Sequence, residues 1–335
     1  MTPAGATILT AWTPDPVSVL VLAALAWAYL RGAVRQYARE GELADWRPML
    51  FLGGLFLIAV AMVSPFAALA REAAWLHQVQ GAMLRVIAPL AIFVTRPQRL
   101  IYTGLPKALR RGVFARLWRA PALNRLGGLL ATPLVAGALN IAVFIFWILP
   151  QTQDAALTHA LVGFAERVSL LATGCLFFGV LFDAHDPDLG GTRYGPRIVM
   201  LISTTLVMVV LGVALTVKPM LFYAAYPDGV RIPGLAPLDD EATGGFVNWA
   251  WVSLAYLMTF VLVFVRWNAA EVRAYARAMN FKGSNSAALR LPETAEELWL
   301  LVTPLNRRLG LSLAIIPAVM MFLAIAIVVT LHYRA

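Results

Sequence analysis

The sequence predicts an all-α integral membrane protein, a single bundle of about eight transmembrane helices. Three observations predict it: eight long apolar runs, a loop charge that alternates along the chain, and a shortage of charge overall. The chain is 60% hydrophobic and only 13% charged, against about 25% charged for an ordinary soluble domain. Backbone polar groups cannot go unsatisfied in lipid, so runs of this length must span as helices.

The runs fall at 16–30, 49–65, 73–95, 129–150, 157–182, 197–217, 246–265 and 309–332. Most approach or exceed the roughly 20 residues that cross a bilayer, and the first two can borrow from their flanks. The basic residues sort by loop. Loop 31–47 carries Arg31, Arg35, Arg39 and Arg47. Segment 96–128 carries Arg96, Arg99, Lys107, Arg110, Arg111, Arg116, Arg119 and Arg125. Loop 183–197 carries Arg193 and Arg197, and segment 266–308 carries Arg266, Arg273, Arg277, Lys282, Arg290, Arg307 and Arg308. The alternate loops hold only Arg71, Lys218, Arg231 and Arg334, while Arg85 and Arg167 lie inside apolar runs. The positive-inside rule then puts the basic loops in the cytoplasm and both termini outside. The net charge of +9 is thereby assigned to an anionic inner leaflet, with no need of nucleic acid. A single cysteine, Cys175, excludes an intramolecular disulfide and any CxxC motif. Residues 1–11 have no basic n-region and no A-x-A site follows the first run, so no cleavable leader is expected.

Three segments lie outside the spans. Segment 96–128 interleaves its cations with Leu105, Leu109, Phe114, Leu117, Trp118 and Leu123, which suits a basic amphipathic helix at the inner interface; a solvated loop is the alternative. Segment 218–245 holds Tyr223, Tyr226 and several prolines, ends in Asp239, Asp240 and Glu241, and is expected to form an ordered external cap. In the last segment, 268–280 extends helix seven and 293–303 makes a short surface helix after Pro292. The whole, 1–335, is one membrane domain with no internal repeat.

A series of short pieces then appears in order: Trp12-Thr-Pro-Asp-Pro16, Ser64-Pro65, His77-Gln-Val-Gln80, Ala88-Pro89, Leu149-Pro150, Glu166, Leu211-Gly212, Pro237-Leu-Asp-Asp240 and Trp249. Over 12–270 this order resembles the multi-spanning bacterial CtaG family, proteins tied to assembly of cytochrome c oxidase. The resemblance implies a seven-span core, with 271–335 adding a cytoplasmic segment and a C-terminal span. It implies the bacterial cytoplasmic (inner) membrane, haem–copper oxidase subunits as partners in the respiratory chain, and copper as the metal handled. It marks Gln80, Asp239, Asp240 and Trp249 as pattern positions.

The departures are specific. The family pattern H-M-x-Q-H in span three reads His77-Gln78-Val79-Gln80-Gly81 here. A family histidine before Leu-Pro is Ile148, and H-x-x-E-H in span five is Gly163-Phe164-Ala165-Glu166-Arg167. Only His77 and His159 remain to donate imidazole at the outer face, beside Glu166. That is a thin donor set for copper, and a lone histidine near a helix end is commonly a hydrogen-bonded structural group. No cofactor is therefore expected of this chain itself, copper following from the resemblance alone. Arg167 is expected to supply the missing positive charge to His77, Gln80 and Glu166.

Charges inside spans are costly and pair or face a cavity. Glu166 is expected to pair with Arg85 or Arg167 and lock spans three and five together; a proton or ion path is the alternative. Lys107, Arg110, Arg111, Arg116 and Arg119 are expected at the membrane interface. No nucleophile–base constellation, phosphate loop or CxxCH motif points to an enzyme. Two functions stay open: an oxidase assembly factor assisting maturation or copper insertion, and a metal-free scaffold or accessory subunit of a respiratory oxidase.

Overall fold

Proline and apolar length together set the helices. The structure, a computed structural model, describes residues 12, 15–40, 46–114, 120–183, 185, 191–226, 235–279 and 295–334. Among these residues all regular structure is helical. In order come α1 (Pro16–Glu40), α2 (Trp46–Val63), α3 (Pro65–Leu69), α4 (Ala74–Ala82), α5 (Ala88–Val94), α6 (Gln98–Gly104), α7 (Pro121–Leu130), α8 (Pro133–Ile148), α9 (Pro150–Thr158), α10 (Ala160–Leu181), α11 (Tyr194–Val217), α12 (Pro237–Phe246), α13 (Val252–Met279) and α14 (Ala295–Arg334). Proline stands in the first turn of α3, α7, α8, α9 and α12, where its missing N–H would have no helical partner anyway.

Among the described residues six helical stretches are long and apolar enough to cross a membrane, or seven if the bent pair α7–α8 is one span. The eighth apolar run, 309–332, lies inside the 40-residue α14, which packs along α11. The expected short helix 293–303 is therefore not a separate element; its described part, from Ala295, runs on into that helix without a break. Span four is not one straight rod. α7 and α8 meet at 76°, because Pro133 restricts the residue before it to an extended conformation. Span seven begins nine residues earlier than the apolar run suggests. α12 starts at Pro237 and passes through a π turn, Val247–Trp251, into α13.

The expected amphipathic helix over 96–128 is broken into pieces. α6, a turn at Lys107–Leu109 and a π turn at Arg110–Phe114 precede α7, since Pro106 and Pro121 each interrupt the ladder. Lys107 and Arg111 are exposed and Arg110 half-buried; Arg116 and Arg119 lie outside the described residues.

A third π turn, Met83–Ile87, joins α4 to α5. Its cause is Pro89. Proline has no N–H for the carbonyl of Arg85, and its ring would clash there in a regular helix. The chain takes a wider turn instead, with the Ala88 N–H on the Met83 carbonyl. The carbonyl of Arg85 faces Gly174 of α10 so closely that a Cβ on that glycine would lie 2.3 Å from it.

Two apolar clusters fill the bundle. One joins α5, α8, α10, α11 and α13 through Val86, Phe144, Phe177, Phe178, Met208 and Tyr256. The other joins α1, α2, α5 and α10, with Tyr29 and Phe51 stacked at 3.9 Å. A small third cluster, Ala74, Leu157, Tyr223 and Tyr226, closes the end of the bundle that carries His77.

Candidate functional site

The polar groups of the bundle gather beneath that third cluster. α4 starts there with two amides that no helical carbonyl can reach. Asp240 of α12 takes both: the Ala74 N–H donates to Oδ2 at 3.0 Å and the Trp75 N–H to Oδ1 at 3.0 Å. Asp240 is fully buried. Its neighbour Glu241 is also buried and accepts from the Lys218 ammonium, from the Phe222 N–H at 2.9 Å and from the Tyr223 N–H at 3.2 Å. The Tyr223 hydroxyl donates to the Ile148 carbonyl, and the Gln153 amide donates to the Tyr226 hydroxyl. Burial pushes both phenols well above their usual pKa, with Glu241 adding to the effect at Tyr223. The 218–226 stretch is thus an ordered cap, as its tyrosines suggest; residues 227–234 lie outside the described ones.

His77 lies in the first turn of α4 and is buried in the bundle. Its Nε2 lies 2.9 Å from Oε1 of Glu166. Both are buried, at 8% and 4% exposure. His77 therefore takes the place that sequence reasoning gave to an arginine, and Glu166 pairs with neither Arg85 nor Arg167. The geometry explains the change. His77 and Glu166 both lie within two turns of the starts of α4 and α10, whereas Arg85 sits two turns further along, in the π turn. Its guanidinium stacks 3.7 Å over the Phe144 ring and contacts Met208 sulfur and Asn248 Oδ1, the latter at 3.3 Å. Asn248 in turn donates to Gln78 Oε1 at 2.6 Å. The two π turns, one holding Arg85 and one holding Asn248, thus meet side by side.

Between these groups lies a cavity of about 20 Å³, lined among others by His77, Gly81, Arg85, Ile148, Glu166 and Asn248. It is room for one water by the usual measure of roughly 10–15 Å³. Arg85 Nε is buried without a hydrogen-bond partner among the described residues. Gly81 and Ile148, two of the substituted family positions, both face it.

Several expected members stand elsewhere. His159 caps the start of α10 and is exposed, so it does not join His77. Gln80 donates to the Ala61 carbonyl at 2.6 Å, anchoring α4 to α2 and turning away from Glu166. Arg167 does not line the cavity; one turn along α10 it lies over Gly163, with Nη1 3.5 Å from where a Cβ would be. Gly163 itself is closed to any side chain, because its Cβ would lie 2.6 Å from the Ala156 carbonyl. Asp239 is exposed, and Trp249 packs its backbone on Gly212, at 2.7 Å from a Cβ built there. Among the described residues no three His, Cys, Asp or Glu side chains stand together as metal ligands would. At the other end, exposed His185 lies 3.0 Å from the Asp183 carboxylate. Burial raises the Asp183 carboxyl, but the Thr192 and His185 amides outweigh it and hold the group below the usual range.

Sequence reasoning missed Gln78, Asn248 and the Lys218–Glu241 pair. The signal for Asn248 was present, a polar side chain two residues inside an apolar run, and it is the same signal that picked out Arg85.

A family model described as cytochrome c oxidase caa3 assembly factor matches residues 27–270, well over half of the chain. The chain belongs to the Caa3_CtaG family. The matched stretch contains every group of the buried network, and it ends within α13. α14 lies beyond it, as does the start of α1. No curated protein matches the chain, and no solved structure does.

Proposed function

We propose that this chain works in the maturation of a haem–copper oxidase as a membrane scaffold that binds oxidase subunits, and not as a copper carrier. Family membership supports the first half. One observation carries the second: at the cavity facing His77, the family's histidine positions are Gly81 and Ile148, which offer no ligand atom. His77 is engaged by Glu166, and His159 stands apart on the surface. One imidazole and one carboxylate leave a cuprous or cupric ion short of the donors it favours. The residues present therefore do not fit copper. What they form is a hydrogen-bonded clamp that ties α4, α10, α12 and α13 at one end.

The scaffold sits in the bacterial cytoplasmic membrane in this reading, with basic loops inside, both termini outside, and α14 as an eighth span. The loop charge pattern supports it. A phosphatase-type reporter fused after Asp239 should be active and one after Arg111 silent; the reverse would invert the topology.

The function is tested by purifying the full chain in mild detergent, with mass spectrometry of co-purifying subunits and metal analysis of the same sample. Oxidase subunits in fixed ratio, without copper, are expected. Near-equimolar copper lost on His77→Ala would overturn the metal-free reading. Absence of any oxidase subunit would overturn the scaffold.

A further inference from the structure

At the end of the bundle opposite His77, α1 and α6 cross with their backbones in contact. A Cβ on Gly32 would lie 1.9 Å from the Leu100 carbonyl oxygen, and one on Gly104 would lie 1.7 Å from that of Ala28. No side chain fits between the helices, so their positions are fixed. Arg35 of α1 strengthens the join by donating to the Thr103 carbonyl of α6. This crossing brings together cations that are far apart in sequence. Arg35 and Arg39 come from α1, Arg99 from α6, and Lys107 and Arg110 from the turns that follow. They line one cavity of about 400 Å³, and the described lining includes no carboxylate. That volume is within the usual range for small-molecule sites, roughly 300–1,000 Å³.

Like charges held together in this way repel one another. A basic surface that merely avoids the outer leaflet would gain from spreading its charges out. Here rigid packing concentrates them around a concavity, with Tyr37, Tyr102 and Leu109 exposed close by in sequence, as groups at a headgroup boundary are. The geometry points to a phosphate-binding pocket between α1 and α6, whose ligand is the phosphate of an anionic lipid headgroup. Basic pockets between helices at the cytoplasmic face suit multiply charged headgroups. The orientation of this face rests on the topology proposed above, but the pocket's chemistry does not.

The test uses the full chain in mixed micelles and follows thermal unfolding during titration with cardiolipin, which carries paired phosphates, with phosphatidylcholine and with inorganic phosphate. Cardiolipin should raise the melting temperature and phosphatidylcholine should not. Arg39→Gln with Lys107→Gln removes two exposed cations of the pocket and should weaken cardiolipin about 25-fold, the usual strength of two headgroup cations. Arg39→Lys with Lys107→Arg keeps the charge and should bind like the parent, which separates loss of binding from loss of folding. Arg125→Gln with Arg193→Gln removes two exposed cations outside the pocket and should leave binding unchanged. A full response to inorganic phosphate, with nothing added by the lipid and the same loss in the pocket variant, keeps the pocket and assigns it to a soluble phosphate. No response to either, or equal loss in the Arg125 and Arg193 control, overturns the proposal. Micelles have no sidedness, so failure here is distinct from failure of the reporter fusions.

Discussion

Replacing Asp240 tests the most economical contact of the bundle, because one side chain accepts from two unpaired amides at the start of the helix that carries His77. The two bonds, each 3.0 Å, run from buried amides to a carboxylate with no exposure to solvent. An exposed helix cap is worth about 0.5–2 kcal/mol. A hydrogen bond to a charged group contributes about 1.5–3 kcal/mol, and a buried donor left alone keeps its desolvation cost. Two such bonds put Asp240→Ala at about 3–6 kcal/mol less stable, with the lower end expected if water enters from the nearby surface. Asp240→Asn keeps one acceptor oxygen and turns an NH₂ group towards the second amide, so it should lose about half as much. The assay is equilibrium unfolding in mixed micelles titrated with a denaturing detergent, joined to hydrogen exchange at Ala74 and Trp75. Both amides should lose protection in the alanine variant while the middle of α11 stays protected. A change below about 0.5 kcal/mol, the scatter of ordinary surface substitutions, or unchanged exchange at both amides, would refute the reasoning.

Other outcomes follow from the same geometry. Glu166→Gln should cost stability while His77→Ala should relieve much of that loss in the double variant, a coupling of about 0.5–3 kcal/mol for residues in direct contact; additive effects would separate the two side chains. Gly174→Ala should destabilise by about 1–3 kcal/mol as α10 is forced off the Arg85 carbonyl, whereas Gly53→Ala, with nothing near its Cβ position, should be neutral or stabilising in the same unfolding assay. Gly81→His with Ile148→His places imidazoles beside His77 and should produce copper binding by metal analysis. Gly163→His should fail to fold normally, since Ala156 fills its space.

Apolar length revealed the membrane-length helices because it is a property of whole segments. The same logic located Arg85, Glu166 and His77 near helix ends or midspan. It could not pair them, because pairing depends on depth and on the π turn, and a run of apolar letters shows neither. Span seven illustrates the limit: Asp240 and Glu241 are charged letters before an apolar run, so they read as loop, yet both are buried within α12. Apart from Lys218, the partners named for them are backbone amides, which leave no trace in side-chain pattern. Arg167 misled for a simpler reason. It occupies a position that resembles a family ligand, but Gly163 has let α9 close against α10, and the guanidinium lies over that contact instead of in the cavity.

The paired π turns also constrain how these helices can vary. Each turn holds an extra residue relative to a regular helix, and the two meet through Arg85 and Asn248. Deleting one residue from 83–87 would rotate everything outward of it by about 100°, swinging His77 off Glu166 and the Ala74 and Trp75 amides away from Asp240. Rotating α12 could not restore both, because Asp240 lies on α12 while Glu166 lies on α10. The wide turn in span three thus keeps two unrelated partners in register at once, and relatives that retain His77, Glu166 and Asp240 should show no one-residue gap across 83–87.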